Sequence, residues 1–202
     1  MATALVLLDI QRAILDPNII KFQDTSIPAT TVEAASALVA AARSVGMPVI
    51  HVGVTRPYIR GAFDAIRTSN AEAAGKAPRD ILALAQRSKG IEFLIPPLGE
   101  EEVIYKIGVS AFAGTRLDQL LRNQSIQEII VAGAFTHMVV ESTVRSGFDL
   151  GYRMVVAKDA CCAPARPPHE NSFTTGIPNF AIVLDNTTLI EKVHKEGYVV
   201  DA

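Results

Sequence analysis

Short apolar runs recur along the chain, and most are separated by enough residues for a helix. The first run, TALVLLD at residues 3–9, is apolar at most positions and ends in a carboxylate. A strand buried on both faces shows such a continuous run, whereas a half-exposed strand alternates. The pattern predicts strands at residues 3–9, 48–54, 101–108, 126–134, 153–159 and 180–184.

Helical patterns lie between these runs. Thr30 or Thr31 can cap a helix over VEAASALVAAARSVG, and Gly46 is its expected stop. Further helices are expected at residues 116–124, 139–152 and 169–175, whereas residues 11–27 and 55–80 show no clear period. Strands that alternate with helices predict an α/β fold, in which a six-stranded, mostly parallel sheet carries helices on both faces. A length of 202 residues suits a single domain over residues 1–202.

Composition and charge narrow the classes of partner. Nineteen Lys and Arg residues face 21 Asp and Glu residues, so no overall basic field favours nucleic acid or an anionic membrane. The two cysteines are adjacent, at positions 161 and 162, which does not suggest a disulfide framework and fits a reducing cytoplasm. We read the apolar opening of the chain as a buried strand and not as a targeting segment.

Three predicted strand ends carry groups that could do chemistry. In a parallel sheet, ligands bind outside the carboxyl ends of the strands, at the point where the strand order reverses. Asp9 follows the first strand, Lys106 lies near the end of the third, and the turn at residues 133–137 leads from the fourth into a helix. Asp9 and Lys106 could exchange protons with a substrate, and backbone N–H groups at the helix start could hold an oxyanion. Taken alone, an Asp at a strand end is more often a cap or turn residue.

The motifs around these positions resemble the isochorismatase-like hydrolases, which include nicotinamidases, N-carbamoylsarcosine amidohydrolases and isochorismatases. The resemblance covers nearly the whole chain and rests on LLDIQ, KIGVSAF, GTRLDQLL, GAFTHMVVESTVRSGFDLGY and KDACCA. No metal site is visible in the sequence, and we expect no cofactor. The resemblance implies a Rossmann-like three-layer α/β/α fold, a small-molecule substrate and a homo-oligomeric assembly. It also implies that Asp9 is the general acid or base and that Lys106 is its electrostatic partner.

The third catalytic position departs from the family pattern. The family sequence G-x-x-T-x-x-C-V corresponds here to GAFTHMVV, so Val139 occupies the place of the cysteine nucleophile. A valine side chain has no lone pair and no acidic proton, so no covalent intermediate can form on it. Cys161 and Cys162 follow the fifth strand, where the family's corresponding segment is structural, and we do not expect them to replace it.

Three interpretations of Val139 remain open. The first is a cysteine-independent vinyl ether hydrolase in which Asp9 is the general acid, as in true isochorismatases, and His137 and Phe135 fit that group. The second, slightly favoured, is a hydrolase of C–N bonds in a small planar amide or imide, whose cysteine has been replaced by Val139. The third is a catalytically silent binding or assembly protein.

Other residues are candidates for substrate contacts. Phe112 and Phe135 could form an apolar wall, Ala134 lies in the strand-four turn, and His137 either faces the pocket or caps the helix. The family also has a non-proline cis peptide in this turn, here between Ala134 and Phe135. His51 lacks the second His of an Asp-x-His metal site, so it is expected to be an interior His, and His169 resembles a family His that is not catalytic.

The long segment after the second strand supplies the last candidates. Arg56, Tyr58 and Arg60 lie there, in a region from which the family draws substrate contacts. Two guanidinium groups could bind a carboxylate by paired hydrogen bonds, although a solvated loop explains these residues equally simply.

Overall fold

A computed structural model describes residues 1–54 and 91–196 of the chain. The strands are β1 (Thr3–Leu8), β2 (Val49–Val54), β3 (Glu102–Lys106), β4 (Glu128–Ala134), β5 (Arg153–Cys162) and β6 (Ile182–Leu184). The helices are α1 (Arg12–Leu15), α2 (Ile27–Ser44), α3 (Leu117–Asn123), α4 (Glu141–Asp149), α5 (Arg166–Asn171) and α6 (Asn186–Glu196). Two π-helical turns, Thr136–Val140 and Ser172–Gly176, run into or out of these helices.

The six described strands form one sheet in the order β3-β2-β1-β4-β5-β6, and every neighbouring pair is parallel. The predicted α/β fold is therefore confirmed. The chain starts in the middle of the sheet, builds outward to β3, and then returns to the other side of β1 with β4. The order reverses between β1 and β4, so the crevice at their carboxyl ends is the expected place for a ligand.

Helices cover both faces of this sheet and give it three layers. Leu5 and Leu7 point to the face covered by α2 and α6, whereas Val6 and Leu8 point to the face that carries α3 and α4. Both faces of β1 are thus apolar and buried, which is why its sequence shows no alternation.

Several element boundaries differ from the sequence prediction, among them those of the first long helix and of β5. The first long helix begins at Ile27, and the predicted cap Thr30 lies inside its first turn, where its hydroxyl donates to the carbonyls of Ser26 and Ile27. Pro28 stands in that first turn, a position where a missing N–H costs nothing. Strand β5 continues past Asp159 to Cys162, because its last residues pair with the end of β4.

Candidate functional site

The end of β1 and the end of β4 lie side by side at the point where the strand order reverses. Leu8 pairs with Gly133, so Asp9 and the residues after Gly133 emerge next to each other. The approach is so close that a Cβ on Gly133 would lie 2.1 Å from the Leu8 carbonyl oxygen, and only glycine fits there. This glycine lets the turn after β4 sit directly beside Asp9.

Asp9 and Lys106 form a buried ion pair at this edge of the sheet. Lys106 Nζ lies 3.0 Å from Asp9 Oδ2, and the two side chains are 2% and 4% exposed. Lys106 lies on β3, two strands away from β1, and its Nζ also donates to the Gly108 carbonyl at 3.3 Å. The sequence placed both groups at this edge, and the structure brings them into direct contact.

The carboxyl group of Asp9 is only half satisfied. Its Oδ1 is buried and has no hydrogen-bond partner among the described residues. Burial raises the pKa of Asp9, while the charge of Lys106 and its hydrogen bond act in the opposite direction without outweighing burial. A buried carboxyl with one free oxygen and an ammonium on the other can exchange a proton with a bound molecule.

The turn after β4 is trans, contrary to the cis peptide expected between Ala134 and Phe135. Phe135 instead adopts a left-handed conformation, with φ 61° and ψ 60°, and reverses the chain without a cis bond. A bulky residue rarely adopts this conformation, and it persists where the surroundings hold it. Asp9 also has a positive φ, 55°, so residues on both sides of the crevice adopt an uncommon backbone conformation.

Two backbone N–H groups near the start of the following helix, those of Met138 and Val139, are already occupied in this structure. Met138 and Val139 both donate to the Phe135 carbonyl, at 2.9 and 2.8 Å. The left-handed turn at Phe135 precedes a π-helical turn, and its carbonyl takes up these two donors. These two N–H groups are therefore not available to an oxyanion in this conformation.

The remaining candidate residues fall into three groups. Val139 is 7% exposed and packs with Leu8 in the apolar cluster on the α3 and α4 face. Phe135 contacts the apolar clusters on both faces of the sheet, while Phe112 stacks on the Tyr152 ring at 5.9 Å. Ala134 is buried as the last residue of β4, and the candidates Arg56 and Tyr58, like Arg60, lie outside the described residues.

Three histidines near the sheet have distinct surroundings. His137 has a buried Nδ1 with no partner among the described residues, and burial lowers its pKa. His51 lies in the interior and pairs through Nε2 with Glu101 at 3.0 Å, and Arg43 holds the same carboxylate at 2.7 Å. His169 is hydrogen-bonded to Thr136 at 2.8 Å.

Gln11 is a site residue that the sequence reasoning quoted in a motif but gave no role. It is fully buried, and its amide donates to the carbonyls of Val54 and Ile91 at 3.0 and 2.8 Å. Its Oε1 accepts the Val54 N–H at 2.9 Å, and a Cβ on Gly53 would lie 2.7 Å from its amide carbon. Gln11, which lies two residues after Asp9 in the chain, therefore holds the end of β2 in place. Its position in the LLDIQ motif was the sequence signal that could have identified this role.

Comparison with known proteins identifies the family of this chain. The sequence profile of the isochorismatase domain matches residues 3–188. The chain belongs to the isochorismatase family. It is 30% identical over 164 residues to the isochorismatase family protein YddQ of Bacillus subtilis, covering 80% of this chain and 78% of that protein.

One further relative of this isochorismatase-family chain is named for an activity. The chain is 31% identical over 171 residues to the ureidoacrylate amidohydrolase RutB of Pantoea ananatis, covering 78% of this chain and 68% of that protein. It is 41% identical over 73 residues to the family protein YecD of Escherichia coli, of which it spans 39%. An isochorismatase family protein from Burkholderia thailandensis shares the fold, with a TM-score of 0.76, 22% identity and 96% coverage of both chains.

A cavity of about 480 Å³ lies behind the strand-four turn of this isochorismatase-family domain, at the end of β5. Asp9, Lys106 and Val139 do not line it, so the candidate site is defined by the ion pair and the turn and not by this cavity. Its walls are formed by Ile27, Thr30, Thr31, Lys158, Asp159, Cys161, Cys162, Ala163, Arg166, His169, Glu170, Phe173 and Thr174.

The described part of the chain has neither a metal-binding cluster nor a membrane-spanning helix. Residues 1–54 and 91–196 contain no group of three or more His, Cys, Asp or Glu side chains arranged to hold a metal ion. None of the helices in those ranges is long and apolar enough to cross a membrane.

Proposed function

We propose that this isochorismatase-family hydrolase domain recognises a small planar amide or imide, and that Val139 replaces the nucleophile that would cleave its C–N bond. The observation that carries the proposal is the buried Asp9–Lys106 pair, 3.0 Å apart, at the switch point beside the turn that leads to Val139. Similarity to a ureidoacrylate amidohydrolase supports the bond type. In this form the domain binds its substrate and is impaired in covalent turnover.

The proposed division of labour follows from the chemistry of each group. A thiol at position 139 would pass its proton to the Asp9 carboxylate, and its sulfur would attack the carbonyl carbon. The C–N bond would then break as the amine leaves with that proton, and water would hydrolyse the thioester. Lys106 holds Asp9 in place and offsets its charge. Valine supports none of the sulfur steps, which is why the natural chain is expected to bind without acylation.

The decisive experiment is Val139→Cys, with Val139→Ala as the matched control. Each is assayed with a panel of small amides, ureas and imides, with and without iodoacetamide. We expect hydrolysis from the cysteine variant alone and its loss on alkylation. Cys161 and Cys162 are buried, and burial raises their pKa values to about 12 and about 11. Because the thiolate is the form that reacts with iodoacetamide, mild alkylation should modify the new thiol at position 139 and spare these two cysteines.

A second candidate function is favoured by the state of Asp9 itself. Its burial and its unpartnered Oδ1 suit a carboxylic acid that donates a proton. In vinyl ether hydrolysis, that proton would go to the alkene carbon, water would attack the oxocarbenium carbon, and the hemiketal would collapse to a carbonyl compound and an alcohol. Turnover of isochorismate by the valine form, abolished by Asp9→Asn, would replace our first proposal with this one.

The same panel detects a silent binding protein. Ligand-induced stabilisation of the valine form, without turnover by the valine or cysteine form, would identify the domain as a binding or assembly module. We further propose that the chain acts in the cytoplasm as a homo-oligomer, as its free buried thiols and its family suggest. Light scattering after size-exclusion chromatography tests the oligomer.

A further inference from the structure

The strand-four turn needs support from outside itself. Phe135 lies in the left-handed region, which a bulky non-glycine residue adopts only where its surroundings hold it. Its own hydrogen bonds to Met138 and Val139 join residues within the same turn, so they do not fix the turn relative to the sheet. The contacts that fix it must come from neighbouring elements.

Those contacts come from β5 and from the helix that follows it. The Cys161 sulfur faces the backbone N–H of Gly133, and the Cys162 sulfur faces that of Phe135. Sulfur is a weak acceptor, so these are weak contacts. The strong contact is the third, between His169 Nδ1 and Thr136 Oγ1 at 2.8 Å. Thr136 is completely buried, so water does not compete for its hydroxyl.

His169 is itself held in place. Its ring meets Phe173 edge to face, with centroids 5.0 Å apart, and Lys158 lies 5.8 Å from the Phe173 ring centre. Glu141, the first residue of α4, accepts a hydrogen bond from Ser172 at 2.7 Å. This bond ties the segment that carries His169 to the helix that follows the turn.

We propose that His169 is a positioning residue for the candidate active site and that it acts through Thr136. Its imidazole holds the first residue of the π-helical turn and thereby sets where the residue at position 139 stands relative to Asp9. The proposal rests on the proposed function only in taking position 139 as the nucleophile position. It assigns no contact between His169 and the substrate.

The neutral imidazole fits this role. Burial lowers the pKa of His169, and among its charged neighbours Glu170 opposes that effect while Lys158, His137 and Arg166 add to it. A neutral Nδ1 can accept the Thr136 hydroxyl proton, whereas a protonated Nδ1 must donate to the same oxygen. Protonation therefore reverses the bond and does not abolish it.

The first test requires no turnover. Asparagine at position 169 places its carboxamide oxygen where Nδ1 lies, whereas leucine fills similar space without an acceptor, so His169→Asn and His169→Leu form a matched pair. A hydrogen bond has a net stability of about 1 kcal/mol, so its loss corresponds to about fivefold in an opening equilibrium. We expect hydrogen exchange at the Met138 and Val139 amides to rise about fivefold in His169→Leu and to stay near the natural rate in His169→Asn.

A double-mutant cycle with Thr136→Val identifies the pathway. If His169 acts through Thr136, His169→Leu adds no further exchange once the Thr136 hydroxyl is gone. Additive effects would overturn the proposal, as would equal exchange in the leucine and asparagine variants. A uniform rise across all amides, with a matching fall in Tm, would also overturn it, because His169 would then only stabilise the fold.

The second test uses the Val139→Cys background, where the alkylation rate of the new thiol reports its position. We expect His169→Leu to change that rate, and to lower kcat on any amide found to react while KM is unchanged. His169→Asn should restore both. If Val139→Cys proves inactive while the exchange pattern holds, the proposed function fails and the positioning role stands.

Discussion

Replacing Lys106 with methionine would show how the buried ion pair is balanced. The change removes an ammonium that lies 3.0 Å from Asp9 Oδ2 and leaves the volume of the side chain nearly unchanged. The Asp9 carboxylate then remains in the interior with neither a counter-charge nor, at 4% exposure, much water. Breaking a buried pair from one side typically costs about 3–5 kcal/mol. We expect the free energy of unfolding to fall by that amount at pH 7.

The magnitude follows from two opposing effects. At 3.0 Å and an effective dielectric constant of about 20, the attraction of the two charges is about 5 kcal/mol. Removing each ion from water costs several kcal/mol, so the pair contributes little net stability. The double variant Asp9→Asn with Lys106→Met should therefore be close to the natural protein, although Lys106→Met alone is not.

The direction of the pH dependence can be derived from Asp9. Burial raises the pKa of Asp9 although Lys106 lowers it, and removing Lys106 raises it further. A carboxyl whose folded pKa exceeds its unfolded value near 3.8 takes up a proton on folding. Stability therefore falls as the pH rises from about 3.8 through the folded pKa. The deficit of Lys106→Met is largest at neutral pH and shrinks as the pH falls.

Urea unfolding at pH 7 and pH 5, followed by far-ultraviolet circular dichroism, measures both effects, since the chain has no tryptophan. A loss below about 1 kcal/mol at pH 7 would refute the account of the pair as a buried charge balance. An equal loss at both pH values would refute the assignment of the deficit to an ionised Asp9.

Two further variants test how the neighbourhood of the site is held. Gln11→Ala removes three hydrogen bonds to the backbone of Val54 and Ile91, so at about 1 kcal/mol each we expect a loss of about 3 kcal/mol by urea unfolding, and a loss below about 1 kcal/mol would contradict it. Burial by itself raises the pKa of Glu101, but hydrogen bonds from Arg43, the Leu98 N–H and His51 lower it to about 2. The stability from this shift is present above the unfolded value of 4.5 and is lost as the pH falls toward 2. Between pH 5 and pH 2, the free energy of unfolding of Glu101→Gln should therefore fall by about 3 kcal/mol less than that of the natural protein. An equal fall in the two proteins would contradict this.

The fold was predictable because the strands of a doubly covered sheet have a distinctive sequence pattern. All six strands of the described residues coincide with runs predicted from the sequence, and Asp9 and Lys106 emerge at the expected ends. The misplaced end of β5 has a simple cause. Lys158 and Asp159 interrupt the apolar run with exposed side chains, whereas the strand continues through main-chain pairing that side chains do not encode. Helix α6 was missed altogether.

The site was less predictable because its details depend on contacts between residues far apart in the chain. Nothing near Thr136 in the sequence indicates that its hydroxyl is hydrogen-bonded to His169, 33 residues later. The direction of the Met138 and Val139 N–H groups depends on the left-handed Phe135, and bulky residues give no sequence signal for that conformation. The family resemblance predicted a cis peptide bond in this turn, whereas the structure has trans bonds there and a positive φ at Phe135.

Stability alone does not explain the charged pair beneath this turn. An apolar pair of the same volume would give as much stability or more, so Asp9 and Lys106 call for another reason, and a ligand at the switch point supplies one. Val139 needs no such functional explanation, because it belongs to the same apolar cluster as Leu8. This contrast supports a pocket that has the charges for catalysis without the nucleophile. It also predicts which changes matter: Val139→Cys adds the missing sulfur, whereas Asp9→Asn removes the carboxyl group that accepts or donates the proton in the two proposed reactions.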